Sequence, residues 1–292
     1  MLGKLLKYDF QMFFRTCGPL YAVGVAVAIL NGIMMRIYSS SQYVNENFIF
    51  EQFVQFLAVG CMWIIAAIIP VAIILIISRI YKGVFGKEGY LTNTLPVSHH
   101  AILVEKIILG TITTILTAVV YVISLVLFLL IGNMSELNQS ILNLLELLRS
   151  VMGGSQVILW ILYYLVLGII LTISGWLTVY LSIAIGHLAK NRLIASIATY
   201  YGIQYVLIKP ITFAIDLFSM SKSGNIEFQF TVVDASQTTN GVWEFEQARD
   251  YANNMMDMMI VQGIGHVTLA ILTGIAAYII SARIMKNKLN LQ

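Results

Sequence analysis

Long apolar runs, separated by short polar stretches, dominate the chain. A helix needs about 20 mainly apolar residues to cross about 30 Å of hydrocarbon, and six runs reach this length. They cover residues 18–36, 56–78, 107–132, 157–186, 193–219 and 258–282. The pattern therefore predicts an all-α membrane protein with six transmembrane helices.

The composition supports this prediction. Hydrophobic residues make up 59% of the 292 residues and charged residues 11%, which is more apolar surface than a soluble core of this size would bury. The net charge of +3 is small, so nothing favours nucleic-acid binding. No small-residue cleavage site precedes Arg36, and we expect the N-terminal segment to be retained.

The distribution of basic residues predicts the orientation. Of the 17 Lys and Arg residues, twelve lie at the two ends, in the 79–106 loop or in the 187–192 turn. These twelve are Lys4, Lys7, Arg15, Arg79, Lys82, Lys87, Lys106, Lys190, Arg192, Arg283, Lys286 and Lys288. The loops on the opposite side, counted together with Asp216 at the outer end of the fifth span, carry eleven of the 14 acids. Basic residues favour the cytoplasmic side, so both termini are predicted to be cytoplasmic.

Two kinds of element flank the spans. Residues 1–15, "MLGKLLKYDFQMFFR", place apolar residues at helical spacing and predict an amphipathic helix on the inner leaflet; it either anchors the first span or also contacts a cytoplasmic partner. Residues 16–292 then form the six-span domain. Segments 133–156 and 220–257 are predicted to be extracellular; within the second, 226–234 alternates like a strand and 244–259 predicts a helix that continues into the last span.

Small residues and cysteines bear on helix packing. Four pairs of small residues lie four positions apart, a spacing that lets helices approach closely in a bilayer. The pairs are Gly24 with Ala28, Ser182 with Gly186, Ala198 with Gly202 and Ala270 with Gly274. Cys17 and Cys61 lie beside or within apolar runs of different segments, and we expect no disulfide between them.

Several kinds of chemistry have no sequence support. The chain lacks the G-x-x-x-x-G-K-[ST] phosphate-binding loop, so any ATP would be hydrolysed by another subunit. Of the four histidines, His99 and His100 are adjacent and point to different helix faces, which disfavours a metal site. The acids are expected in loops rather than at depth, which disfavours a membrane enzyme with catalytic residues.

Lys209 and Asp216 are two ionisable residues near the outer end of the fifth span. They lie seven positions apart and share a helix face if the helix continues past Pro210, which proline disfavours. Lys209 then either extends to water, with Asp216 outside the membrane, or the two residues line an exit pathway.

The stretch "GKEGYLTNTLPVSHHAILVEK", residues 86–106, is the longest cytoplasmic connection. Pro96 ends the preceding element and Ser98 is well placed to cap the next helix. Tyr90, Leu91 and Leu95 would form an exposed apolar surface, which either packs back on the chain's own helices or enters a groove on a partner.

This stretch resembles the EGYL-T-x-TLPVS signature of bacterial type-two ABC-transporter permeases, the membrane subunits of exporters, and "LGKLLKYDFQ" resembles their usual start. Six spans with both ends inside also match. The matching residues, to which the resemblance assigns coupling to the ATPase, are Glu88, Gly89, Tyr90, Leu91, Thr92, Thr94, Leu95 and Pro96. Asn93 occupies a variable position, and His99 and His100 depart from the usual polar or basic residues.

The resemblance implies a permease in the bacterial plasma membrane that pairs with a second permease chain and two cytoplasmic ABC ATPase subunits, which bind ATP and Mg. ATP-driven closure of those subunits would move the coupling residues and open a cavity outward. Substrates suited to an apolar cavity and an acidic outer face include lipids, amphipathic peptides and antibiotics. The alternative is a non-transporting membrane subunit of an antimicrobial-peptide sensing or resistance complex.

Overall fold

The structure, a computed structural model, describes residues 2–40, 48–84, 98–132, 139, 142, 154–222 and 241–288. Its regular elements in these ranges are helices. They are α1 (Leu2–Ser40), α2 (Phe48–Val84), α3 (His99–Gly132), α4 (Gly154–Gly186), α5 (Arg192–Gly202), a π-helical segment (Ile203–Ile208), α6 (Lys209–Lys222) and α7 (Gly241–Lys288).

The prediction of six spans is confirmed at the level of helix length and composition. Six helical stretches in the described residues are long and apolar enough to cross a membrane. They are Leu6–Tyr38, Gln52–Val84, His100–Gly132, Ile158–Gly186, Arg192–Ser221 and Met258–Lys286. Each stretch contains most or all of one predicted run. The runs are helical because a helix satisfies its own backbone hydrogen bonds and can therefore lie in hydrocarbon.

The helix predicted at 244–259 is confirmed, since α7 runs without interruption from Gly241 through the last span. The predicted strand at 226–234 and most of the 133–156 segment lie outside the described residues. The coupling residues between 88 and 96 also lie outside them.

The N-terminal amphipathic helix is not confirmed as a separate element. Residues 2–15 and the first span form one continuous helix, α1, with Pro19 inside it. The apolar residues of this segment do not all share one environment: Phe13 is 3% exposed, whereas Phe14 is 52% exposed. Residues at positions 9, 13 and 17 point into the protein, because they are four apart and share one side of the helix.

The chain divides into two compact units, residues 1–142 with 282–292 and residues 143–281. In the first unit, α1 packs against both α2 and α3. Gly24 makes room for Ile68, since an added Cβ would lie 2.2 Å from its Cδ1, and Ala28 is fully buried. The Tyr21 and Thr117 hydroxyls hydrogen-bond at 2.6 Å. This unit is therefore joined by both close packing and polar contacts.

In the second unit, α4 and α5 form a tight helical hairpin. A Cβ on Gly186 would lie 2.5 Å from the backbone nitrogen of Ser196, so the two backbones are nearly in contact. Gly274 of α7 lies against Leu177 of α4, 3.3 Å from an added Cβ. By contrast, nothing lies within 4 Å of an added Cβ on Gly202. Three of the four small-residue pairs thus contain a glycine packed against another helix, and the Ala198 and Gly202 pair does not.

The fifth span continues through Pro210 by changing its helix type. The Lys209 N–H donates to the Gln204 carbonyl, five residues earlier, which is the π-helical pattern. Proline lacks an N–H and its ring crowds the preceding turn. The wider turn at Ile203–Ile208 is placed directly before Pro210, and α6 follows without a break.

Candidate functional site

Four charged side chains meet in the first unit, and we refer to Asp9, Arg79, Glu105 and Lys106 as the charged cluster. Arg79 Nη2 donates to Asp9 Oδ1 at 3.0 Å. Lys106 Nζ donates to Asp9 Oδ2 and forms an ion pair with Glu105 Oε2 at 3.1 Å. Asp9 therefore bridges two cations that come from two other helices.

The order of the helices explains why these residues meet. Asp9 lies near the start of α1, Arg79 near the end of α2, and Glu105 with Lys106 near the start of α3. Because consecutive spans run in opposite directions, these three helix ends lie on one side of the unit. By the distribution of basic residues, that side is the predicted cytoplasmic side.

The charged cluster is largely removed from solvent. The exposed fraction of the side chain is 0% for Glu105, 3% for Lys106, 13% for Asp9 and 19% for Arg79. Arg79 and Lys106 both lie within ion-pair distance of Asp9, and Lys106 also lies within that distance of Glu105. Buried charges persist only when they are paired, so each member depends on the others.

Gly83 of α2 lies beside the Lys106 side chain of α3. A Cβ at position 83 would lie 3.4 Å from Lys106 Nζ, which is ordinary van der Waals distance, so the two helices approach closely here.

The charged cluster flanks the stretch that resembles the permease signature. Helix α2 ends at Val84 and α3 begins at His99, and Arg79 and Lys106 each lie within two turns of those ends. Ser98 caps α3 as predicted: the Ala101 N–H donates to its Oγ at 3.3 Å, the contact expected of an N-cap residue. Both flanks of residues 85–97 are consequently joined to α1 through Asp9.

A second polar group of residues, Asp216, Gln262 and His266, lies in the other unit, and we call it the Asp216 cluster. Gln262 Nε2 donates to Asp216 Oδ1 at 2.7 Å, and His266 Nε2 lies 3.5 Å from the same oxygen. The side chain of Asp216 is 38% exposed and that of His266 is 25% exposed. This carboxylate is therefore more exposed than that of Asp9, whose side chain is 13% exposed.

The structure places Lys209 differently from Asp216. Lys209 is exposed, and no ion pair joins these two described residues. Although the helix does continue past Pro210, Asp216 contacts α7 instead. Their shared role in a pathway remains a prediction, and the geometry gives Asp216 other partners.

Sequence reasoning missed most of these residues. We expected the acids in loops rather than at depth, but Asp9, Glu105 and Asp216 lie within helical stretches long and apolar enough to cross a membrane. Charged residues inside or at the ends of apolar helices are a signal of function and could have identified the charged cluster. Within the described ranges, no group of three or more His, Cys, Asp or Glu side chains could hold a metal ion. Cys17 and Cys61 are free thiols.

Comparisons of the chain with protein-family models, curated proteins and solved structures give no match.

Proposed function

We propose that the chain is the permease subunit of an ATP-driven ABC exporter in the bacterial plasma membrane, and that residues 86–106 couple it to separate ATPase subunits. The observation that supports this most is the charged cluster. It joins the two helices that flank the signature-like stretch to the third helix of the same unit through a single carboxylate.

The charged cluster suits the transmission of movement. A force on residues 85–97 acts on the ends of α2 and α3. Because Asp9 contacts Arg79 and Lys106 together, the start of α1 follows that movement. Packed helices with buried ion pairs shift as a body rather than deform. Tyr90, Leu91 and Leu95 would supply the apolar contact with the ATPase.

The rest of the complex follows from the same proposal. The chain lacks its own nucleotide-binding loop, so ATP and Mg are bound by the partner ATPase and the permease itself is not an enzyme. A second permease chain completes the pathway. The cargo is a hydrophobic or amphipathic molecule such as a lipid, peptide or antibiotic, moved outward across the membrane.

The decisive experiment targets the apolar contact. The double variant Leu91→Asp with Leu95→Asp should remain in the membrane but lose co-purification with the partner ATPase and lose substrate-stimulated ATP hydrolysis in vesicles. A buried apolar contact contributes about 25 cal/mol per Å² before entropic losses, and two aspartates would remove it. Asn93→Asp is the matched control, because it adds a negative charge at the position that varies in the resembling permeases.

Retained co-purification and ATP hydrolysis in the double variant would refute the coupling role of residues 88–96. Loss of both in Asn93→Asp as well would show a charge effect without a specific contact.

The proposed orientation has its own test. In a background with Cys17→Ala and Cys61→Ala, a cysteine at Ser223 should react with an impermeant thiol reagent on intact cells, and one at Lys190 should react only after the cells are opened. The opposite pattern would invert the topology and place the coupling stretch outside the cell.

A further inference from the structure

Two helices of the second unit, α4 and α6, pack against the same turn of a third, α7. Asp216 of α6 contacts Gln262 and His266, and Ile215 lies against Gly265, 2.5 Å from an added Cβ. Tyr163 of α4 lies against Gly263, where its hydroxyl would be 1.8 Å from an added Cβ. The two glycines of α7 thus let both neighbouring helices pack against the turn that carries Gln262 and His266.

The carboxylate is incompletely used by its neighbours. Gln262 supplies one neutral hydrogen bond to Oδ1, and His266 approaches the same oxygen at 3.5 Å, which is longer than a good hydrogen bond. The 38% exposure of the side chain lies within a stretch apolar enough to cross a membrane. A carboxylate at such a place is costly unless a cation or water neutralises it.

An aromatic group on α4 includes Tyr163, which packs against Gly263 in the same turn of α7 as the two partners of Asp216. Trp160, Tyr163 and Tyr164 contact one another with ring centroids 5.4 to 5.8 Å apart. Tyr164 is 45% exposed, and the buried hydroxyl of Tyr163 has no hydrogen-bond partner. Aromatic faces attract ammonium groups, and Trp does so most strongly.

Topology places these groups at one end of the unit. The aromatic residues follow the start of the fourth span, Asp216 precedes the end of the fifth, and Gln262 and His266 follow the start of the sixth. Because the fourth, fifth and sixth spans alternate in direction, these three positions lie on the same side. The predicted orientation makes this the outer side.

We infer that the Asp216 cluster, with the aromatic residues of α4 that pack at the same turn of α7, is a binding site for an amphiphile with a positively charged amine or quaternary ammonium head and an apolar tail. The interpretation of this site as a substrate site rests on the proposed export function. Asp216 pairs with the cationic head, the aromatic faces add to the attraction, and the apolar surfaces of the spans hold the tail. Lys209 takes no part in the site.

The site should distinguish a cation from a zwitterion with the same tail. A phosphate next to the ammonium group would be repelled by Asp216, so a phosphocholine head gains little from it. An uncharged head gains nothing from the carboxylate. Selectivity for net positive charge therefore separates this site from a general apolar surface that accepts any lipid.

The test measures binding to the full-length chain alone, in nanodiscs of phosphatidylcholine, with empty nanodiscs as the baseline. The probes are dodecyltrimethylammonium, dodecylphosphocholine and dodecyl maltoside. Wild-type chain should bind the first at least tenfold more tightly than the other two. Asp216→Asn should remove that preference, Asp216→Glu should keep it, and Lys209→Gln, the matched loss of a charge in the same helix, should change affinity less than twofold.

A second measurement needs no variant. Carbodiimide labelling of Asp216 in the wild-type chain, followed by mass spectrometry, should be slowed by dodecyltrimethylammonium and not by dodecyl maltoside. Equal binding of all three probes, equal binding by Asp216→Asn and wild type, or labelling that the cation does not slow would overturn the inference. Since no ATPase is present, these results are independent of the coupling experiment, and loss of ATPase association would leave them unchanged.

Discussion

The charged cluster and the Asp216 cluster each centre on one aspartate that contacts two side chains, yet their surroundings differ. Asp9 is 13% exposed and lies between two cations, whereas Asp216 is 38% exposed and lies between an amide and an imidazole. Full pairing and burial suit a structural joint between helices. Partial pairing and exposure suit recognition of a cation that arrives from outside the chain. Two aspartates that both lie within apolar helices therefore differ in pairing and exposure, and the roles that we propose for them differ accordingly.

The largest effect is expected from Asp9→Asn. The change leaves Arg79 and Lys106 near each other with only Glu105 to balance them, and removal of one partner from a buried ion pair costs about 3–5 kcal/mol. The thermal unfolding midpoint of the purified chain should fall strongly, and the yield of folded protein with it. Lys7→Gln on the exposed side of α1 is the control and should change stability by less than about 0.5 kcal/mol. Similar midpoints for wild type and Asp9→Asn would show that the charged cluster is not a structural joint.

Gly186→Ala tests whether the second unit is also tightly packed in the hairpin between α4 and α5, away from Asp216. The added methyl meets the backbone of Ser196, so α4 and α5 must separate, at a cost of about 1–3 kcal/mol. Gly202→Ala is matched, since open space surrounds that position, and alanine favours a helix by about 1 kcal/mol over glycine. The unfolding midpoints should therefore move in opposite directions. A common direction would contradict the close approach at Gly186.

Asp216→Asn makes the same chemical change as Asp9→Asn, but at a carboxylate that is more exposed and lies between an amide and an imidazole rather than between two cations. Asparagine keeps an oxygen that can accept from Gln262, and no buried cation loses its partner, so stability should change by less than about 1 kcal/mol. The measurement is again the unfolding midpoint. A loss as large as that of Asp9→Asn would abolish the distinction between the two clusters.

The smallest effect concerns pH and the turn between α4 and α5. Burial, together with the nearby Arg192 charge, lowers the pKa of His187 from its usual 6.5. Folded protein then binds fewer protons at this site than unfolded protein. The contribution to stability is complete above about pH 6.5 and is lost as the pH falls through the lower folded pKa. His187→Gln should reduce the drop in unfolding midpoint between pH 7.5 and pH 5; an unchanged drop would place the acid sensitivity elsewhere.

The spans could be predicted from sequence because apolar length alone decides them. The charged cluster could not, since Asp9 meets residues 70 and 97 positions away, and nothing in the spacing of residues 1–15 singles it out. Asp216 was identified by its chemistry, but its partner Gln262 lies 46 positions away. The sequence spacing pointed to Lys209 instead. Periodicity predicts which helix a residue joins, whereas contacts between helices depend on packing.

The π-helical turn at Ile203–Ile208 sets the direction in which Asp216 points. A π turn holds one more residue in each hydrogen-bonded ring than an α turn, and each residue of an α-helix advances the face by about 100°. Deletion of one residue from this segment, with a return to regular α-helix, would rotate α6 by about that angle and carry the carboxylate away from Gln262 and His266. Such a variant would be one residue shorter, with almost the same hydrophobicity and charge, but it would lose the arrangement of the Asp216 cluster. Insertion or loss of a single residue here is thus a simple route by which related chains could gain or lose recognition of a cation.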